Sequence, residues 1–331
     1  MVAVPFQPSD VGSVLGSRYR LSRVIATGGM GTVYEANILG SRKRVAIKVM
    51  AIELSQDKES LARFQREADV TGSLGHPNIV QVHEFGMSDS GQPYLVMEYL
   101  AGEDLDQRLE KTPALPQPQA FRIAQDVASA LSIAHAKGIV HRDLKPANIF
   151  LVAQRKRREF AKILDFGISK VQSGTINLTH GQTVLGTPYY MSPEQATARS
   201  SEVDHRTDQW ALACITWQML CGECPFQGDD LYALAYQVAY ASPPPLTPLV
   251  PGLAPGVEPV LLRALSKNKN ERYPSTADFA RALREAAGDP PPTTLRQRLW
   301  TRKWSLLAGG ILLALTAIGA LLAPRFLARH P

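Results

Sequence analysis

The stretch His141-Arg142-Asp143-Leu144-Lys145-Pro146-Ala147-Asn148 constrains this chain more than any other part of it. A carboxylate, a carboxamide, an ammonium and a guanidinium lie between the apolar runs Ile139-Val140 and Ile149-Phe150-Leu151. So dense a polar run reads as a loop, and its apolar flanks predict short buried strands that clamp it at both ends. Seventeen residues past Asn148 comes Asp165-Phe166-Gly167, behind another strand-like run, Ile163-Leu164. On adjacent strands Asn148 and Asp165 offer hard oxygen ligands suited to Mg²⁺. Asp143 remains to accept a proton from an attacking hydroxyl. A metal clamp, a positioned nucleophile and nearby positive charge are what phosphoryl transfer needs.

With 331 residues the chain exceeds a usual single core, so a two-lobed globule with an additional segment is expected. The net charge of +6 suggests nucleic acid until it is located. Residues 288–331 hold Arg296, Arg298, Arg302, Lys303, Arg325 and Arg329 against Asp289 alone, which accounts for +5 of it. That excess flanks an apolar stretch, so a membrane surface is the expected partner and no nucleic acid is. Cys221-Gly222-Glu223-Cys224 has redox or zinc spacing, but no second pair completes a four-ligand site. It reads as small residues at a helix-to-loop turn in a reducing, cytosolic setting. Met1 to Asp10 lacks the basic and apolar regions of a signal peptide.

Taken in order, residues 1–17 read as a loose leader, and Arg18 to Ile25 alternates like a strand. Ala26 to Glu35 forms a glycine-rich hairpin in which Gly28, Gly29 and Gly31 let the backbone approach phosphates closely. Val45-Ala46-Ile47-Lys48-Val49 is an apolar strand interrupted by one lysine. A helix is predicted from about Gln56 to Leu74, carrying both Glu59 and Glu67, and Pro77 follows its end. Tyr94 to Tyr99 reads as a strand, and 119–138 as a long amphipathic helix stopped by Gly138. His76 and His83 read as structural residues. The basic connection Gln154 to Glu159 reads as a solvated hairpin tip, and the proline-rich run Ser242 to Gly256 as a loop between helices.

On the motifs His141–Asn148, Asp165–Gly167, Val45–Lys48 and Gly186-Thr187-Pro188-Tyr189-Tyr190-Met191-Ser192-Pro193-Glu194, the sequence resembles the protein Ser/Thr kinases. The resemblance covers roughly residues 19 to 287 and points to the bacterial, membrane-anchored, Hanks-type branch. It implies an α+β, bilobal protein kinase fold, with a β-rich small lobe to about residue 99 and an α-rich large lobe beyond. ATP and Mg²⁺ are the implied cofactors, with Mn²⁺ as an alternative ion, and proteins are the implied substrates.

The resemblance makes Asp143 the group that orients and deprotonates the hydroxyl, and Asn148 and Asp165 the metal ligands. Lys48 then holds phosphates and Glu67 orients it. Ile25, Val33, Ala46 and Phe150 would sandwich adenine, the backbones of Glu98 and Leu100 would bond it, Met97 would act as gatekeeper, and Asp104 would reach the ribose. Lys145 and Thr187 imply Ser/Thr rather than Tyr acceptors. Arg142 implies pairing with a phosphate in the segment 167–194, where Thr179 and Thr183 are the candidate acceptors. Glu194 and Arg272 imply a buried ion pair, and Asp208 a brace for the catalytic loop. One departure stands out: the family's first loop glycine is Ala26 here.

The remaining expectations concern the C-terminal end. A linker is expected over 288–304, and Ser305 to Ala323 holds 19 residues without a charge, enough for a transmembrane helix. Trp300 and Trp304 at one margin, with four basic residues before the span, predict an N-terminal side in the cytoplasm and a single pass through the inner membrane. Residues 324–331 would form a short tail outside, too short for a sensor domain. Gly310 and Ala314 have the small-xxx-small spacing of helix pairs, so a homodimer stays open. Two other classes stay open as well: a pseudokinase scaffold without catalysis, and a small-molecule phosphotransferase.

Overall fold

The computed structural model describes residues 10–153, 159–166 and 188–288. They belong to one compact unit that runs through Gly288, whereas 289–331, with the linker, the apolar span and the tail, lie outside the described residues. Among the described residues no helix is long and apolar enough to cross a membrane.

The first part is a six-stranded antiparallel sheet in the order β1-β2-β3-β4-β6-β5. Its strands are β1 (Val14–Leu15), β2 (Tyr19–Gly28), β3 (Gly31–Ile38), β4 (Arg44–Met50), β5 (Val82–Met87) and β6 (Pro93–Glu98). The leader expected to be loose therefore supplies a strand. Leu15 is fully buried with Tyr19, Leu21 and Tyr34, and a two-residue pairing is too short to show alternation in sequence.

Two helices cross this sheet, α1 (Ile52–Ser55) and α2 (Lys58–Leu74). The helix expected from Gln56 starts two residues later because the Asp57 carboxylate caps it, accepting the Ser60 N–H at 2.9 Å. Phe64, Glu67, Ala68, Thr71 and Leu74 form its buried face. Phe64 and Ala68 pack with Met50, Val80, Leu95 and Met97, which ties α2 to the middle of the sheet.

The second part is helical around a small three-stranded sheet, β7 (Gly102–Asp104), β8 (Ile149–Val152) and β9 (Phe160–Ile163). Its helices are α3 (Leu105–Lys111), α4 (Gln117–Ala136), α5 (Pro193–Ala196), α6 (His205–Cys221), α7 (Leu231–Tyr240), α8 (Val257–Ala264) and α9 (Thr276–Ala286). Helix α6 is buried on nearly every side, so it lacks an amphipathic pattern and forms the centre of the large-lobe core. The proline-rich run 242–256 is an irregular connection between α7 and α8. The three cysteines are free thiols.

The loop around Asp143 is clamped differently from the sequence expectation. Ile139-Val140 is not a strand but half-buried coil leaving α4 through Gly138, whose φ is 74°. Only the far side is a strand pair, in which Ile149 of β8 faces Ile163 of β9.

Candidate active site

Lys48 is held on β4 between two carboxylates. Its Nζ donates to Glu67 Oε1 at 2.9 Å and to Asp165 Oδ2 at 3.1 Å. The expected helix carries both Glu59 and Glu67, of which the resemblance names Glu67, and the structure separates them. Glu67 faces the sheet and is 5 % exposed, whereas Glu59 lies outside and pairs with Arg63. Burial pulls Lys48 down, but the Asp165 and Glu67 carboxylates outweigh it and hold the ammonium above the usual lysine range. Burial, with Asp165 nearby, pushes Glu67 up to about 7 against the attraction of Lys48. Two carboxylates thus compete for one cation.

The loop from His141 to Asn148 is organised by Asp208 of α6. Its carboxylate accepts the His141 N–H and the Arg142 N–H, each at 2.8 Å, and meets His135 Nε2 at 2.7 Å. His141 is buried against the Phe166 ring, with centroids 5.1 Å apart, and burial lowers its pKa. Arg142 has a φ of 66°, a left-handed conformation that costs a non-glycine residue about 1–3 kcal/mol and needs such restraint. Asp143 follows, with Lys145 Nζ at 3.4 Å from its Oδ2.

A 3₁₀ turn at Pro146–Asn148 then brings Asn148 back, and its Nδ2 donates to the Asp143 carbonyl at 2.9 Å. The Asn148 carbonyl accepts the Leu164 N–H at 2.9 Å, so Asn148 lies beside the residue that leads into Asp165. Hydrogen bonds and ion pairs therefore draw together Lys48 of β4, Glu67 of α2, Asp143 and Asn148 before β8, and Asp165 after β9.

These groups fit a hard divalent ion. The Asn148 amide nitrogen is committed to the loop, which leaves its carboxamide oxygen for a cation, and the Asp165 side chain is 39 % exposed. Among the described residues no group of three or more His, Cys, Asp or Glu could hold a metal alone.

Of the residues expected around the base, Ile25, Val33, Ala46, Leu100 and Phe150 are all partly or largely exposed, whereas Met97 is buried in a cluster that Ala46 and Leu100 pack against. A planar base needs such a lining with a few aimed polar groups. The Glu98 N–H donates to the Gln81 carbonyl at 2.9 Å, which removes that donor from the adenine contact expected of Glu98. Asp104 caps α3 by accepting the Gln107 N–H at 2.8 Å, so one of its oxygens already has a local task.

In the glycine-rich hairpin Gly28 pairs with Gly31, and Ala26 pairs with Val33 directly after a register irregularity between Val24 and Ala26. A side chain on Gly28 or Gly29 would meet nothing, but Gly31 has a φ of 145° and its added Cβ would lie 2.0 Å from the Val49 carbonyl. Gly31→Ala is expected to destabilise the sheet by about 1–3 kcal/mol, and Ala26→Gly to leave the ATP KM within about twofold. Thermal melts and ATP titrations check both; an ATP KM that drops tenfold in Ala26→Gly would show that the methyl obstructs the nucleotide.

Glu194 and Arg272 make the expected ion pair in bidentate form, with both N–O distances 2.9 Å. Sequence reasoning missed Lys162, which is buried and bonds Glu98 Oε1 at 2.5 Å and the Ile79 carbonyl at 3.2 Å. It also missed Gln195. Neither residue belongs to a charged motif, and the alternation of β9 only marks Lys162 as a position on a strand. Thr179, Thr183, Thr187 and Gly167 lie outside the described residues.

A two-lobed fold with a lysine, two carboxylates and a carboxamide at the joint defines a nucleotide-dependent phosphotransferase class. The family model of the protein kinase domain matches residues 19–275. The serine/threonine-protein kinase pkn3 of Myxococcus xanthus is 42 % identical over 278 residues, covering 82 % of this chain and 50 % of that protein. The serine/threonine-protein kinase PknB of Mycobacterium leprae is 37 % identical over 281 residues, covering 84 % of this chain and 44 % of that protein. The crystal structure of the Mycobacterium tuberculosis PknI kinase domain superposes with a TM-score of 0.64 at 32 % identity, covering 84 % of this chain and 98 % of that one. The chain belongs to the protein kinase family, among the bacterial Hanks-type Ser/Thr kinases. It spans about half the length of the curated relatives it matches.

Proposed function

We propose that this chain is a protein serine/threonine kinase that transfers the γ-phosphoryl group of ATP to hydroxyls of proteins. The observation that carries the reading is Lys48 Nζ held between Glu67 and Asp165, beside an Asn148 side chain bonded to the Asp143 backbone. In this reading Asp143 orients the acceptor hydroxyl and takes its proton, and Lys48 and Lys145 set positive charge along the phosphates. Glu67 aims Lys48. Asn148 and Asp165 would hold Mg²⁺, or Mn²⁺ in its place, which supplies charge neutralisation at the triphosphate when bound. Ile25, Val33, Ala46, Leu100 and Phe150 would enclose the base. Thr179 and Thr183 are the proposed sites of self-phosphorylation, and Thr187 the proposed hydroxyl contact near Asp143.

The test uses the purified full chain with labelled ATP, Mg²⁺ and a dephosphorylated acceptor protein, beside an Asp143→Asn control. Label on phosphoserine or phosphothreonine in the wild type alone is expected. Equally little label on protein in both, no higher than without the chain, sinks the enzymatic reading in favour of a scaffold, and label confined to a small molecule points to a different phosphotransferase.

We also propose that Ser305 to Ala323 anchors the chain in the inner membrane, with its catalytic unit in the cytoplasm. The support is the uncharged 19-residue run and its basic and tryptophan flanks. Removing residues 305–331 is expected to move the protein from the membrane pellet to the supernatant. Unchanged fractionation would refute the anchor.

A further inference from the structure

Gln195 sits in the first turn of α5, three residues after Ser192. Its carboxamide oxygen accepts the Ser192 N–H at 3.0 Å, and the Ser192 hydroxyl lies 3.3 Å from the same oxygen. That closes a capping box, the ordinary local task of a Glu or Gln at this position. The other end of the amide does something the cap does not require. Its Nε2 donates to the backbone carbonyl of Arg142 at 2.8 Å, across 53 residues of sequence. Exchanging oxygen and nitrogen would set donor against donor at Ser192 and acceptor against acceptor at Arg142, so the two partners fix the orientation of the amide.

Arg142 is the residue that most needs holding. With φ at 66° it lies outside the regions a side chain favours. Asp208 Oδ1 secures its N–H at 2.8 Å. Its carbonyl belongs to the next peptide unit, the one that leads into Asp143, and Gln195 secures that. Both sides of the strained residue are thereby pinned from outside the loop, one by α6 and one by α5.

We propose that Gln195 is a positioning residue for phosphoryl transfer: it fixes the Arg142–Asp143 peptide plane and so aims the Asp143 carboxylate. The same contact makes the geometry of the catalytic loop depend on the docking of the Ser192–Ala196 turn. The proposal rests on the reading of Asp143 as the group that receives the hydroxyl proton. Glutamine is specific to the task, because glutamate caps equally well but would turn a carboxylate oxygen toward the Arg142 carbonyl.

That difference supplies the experiment. The full-length wild type, Gln195→Glu, Gln195→Met and Asp143→Asn are compared for kcat, ATP KM, Tm and amide hydrogen exchange across residues 141–148. Gln195→Glu keeps the cap and loses the bond to Arg142; Gln195→Met adds no charge and loses both. In each the kcat is expected to fall roughly 10- to 100-fold, the scale of a misplacement near 1 Å, with the ATP KM within about twofold. The Tm should hold in Gln195→Glu and drop by about 2–4 °C in Gln195→Met. Exchange in the loop should quicken in both.

A wild-type kcat in Gln195→Glu overturns the proposal and leaves Gln195 a helix cap. So does a kcat that follows Tm across the two variants. If neither the wild type nor Asp143→Asn transfers label above background, the kinase reading itself has failed. The clamp is then decided by exchange alone, which needs no turnover: unchanged exchange in both variants overturns it.

Discussion

Replacing Asp143 by asparagine is expected to lower phosphoryl transfer by about 10³-fold, the middle of the range for losing a positioned proton acceptor. ATP affinity should stay within about twofold, because Lys48, the proposed phosphate contact, is held by Glu67 and Asp165, not by Asp143. Stability should change little as well. The Asp143 side chain is half-buried, and Asn148 bonds its backbone carbonyl, which the substitution keeps. The result therefore separates chemistry from folding and from binding. Rapid-quench turnover, nucleotide titration and a thermal melt on the same preparation check the three parts. Retention of more than a tenth of the wild-type rate would mean that the proton leaves by another route and that Asp143 only orients the acceptor.

Much of this arrangement was legible because the charged residues of the site stand in apolar surroundings. Lys48 interrupts Val45-Ala46-Ile47 and Val49, and a lysine pointing into a sheet needs a carboxylate partner. The helix pattern alone did not say which one; the resemblance named Glu67. Both Glu59 and Glu67 lie on the expected helix, and the choice depends on which face the sheet covers: Glu67, three residues after Phe64 and four before Thr71, shares the buried face, and Glu59 does not.

Other features left weaker traces. Strand β1 has two residues, below the length at which alternation can be read, although Leu15 is fully buried. Ile139-Val140 looks like a strand by composition, yet both are half-buried coil: the Ile139 N–H turns back to the Ala134 carbonyl at 3.0 Å, and the next donors, on His141 and Arg142, go to Asp208. The contact of Gln195 with Arg142 is invisible for a different reason. Nothing in a glutamine at the start of a short helix says that its second amide group reaches across 53 residues. Side chains that satisfy a distant backbone carbonyl carry no periodicity and no charge pattern, so only the fold reveals them.

Replacing Arg272 by methionine is expected to destabilise the protein by about 3–5 kcal/mol, because it strands a charge and does not merely remove a contact. Glu194 is 4 % exposed and Arg272 2 %. The guanidinium also donates from Nε to the Ser266 carbonyl at 2.9 Å and lies 5.0 Å from the Trp210 ring, so it joins α5, α6 and the α8–α9 connection. Burial would raise the Glu194 carboxyl, but its bonds to Arg272, with help from Thr207, hold it below the usual range. A depressed carboxyl contributes stability that is complete above its unfolded pKa and is lost as pH falls through the lower folded value. In the wild type that loss therefore comes as pH falls below the ordinary glutamate range. In Arg272→Met the sign reverses: Glu194 is buried unpaired, its pKa rises above the unfolded value, and its cost eases as acid protonates it. The gap in denaturant midpoint between wild type and variant should therefore narrow from pH 7.5 to pH 5. Adding Glu194→Leu to Arg272→Met should restore much of the loss, since two apolar side chains leave no charge to desolvate. A gap that is the same at both pH values, or a double variant no more stable than the single one, would place the cost in lost packing over Trp210 and not in the unpaired carboxylate.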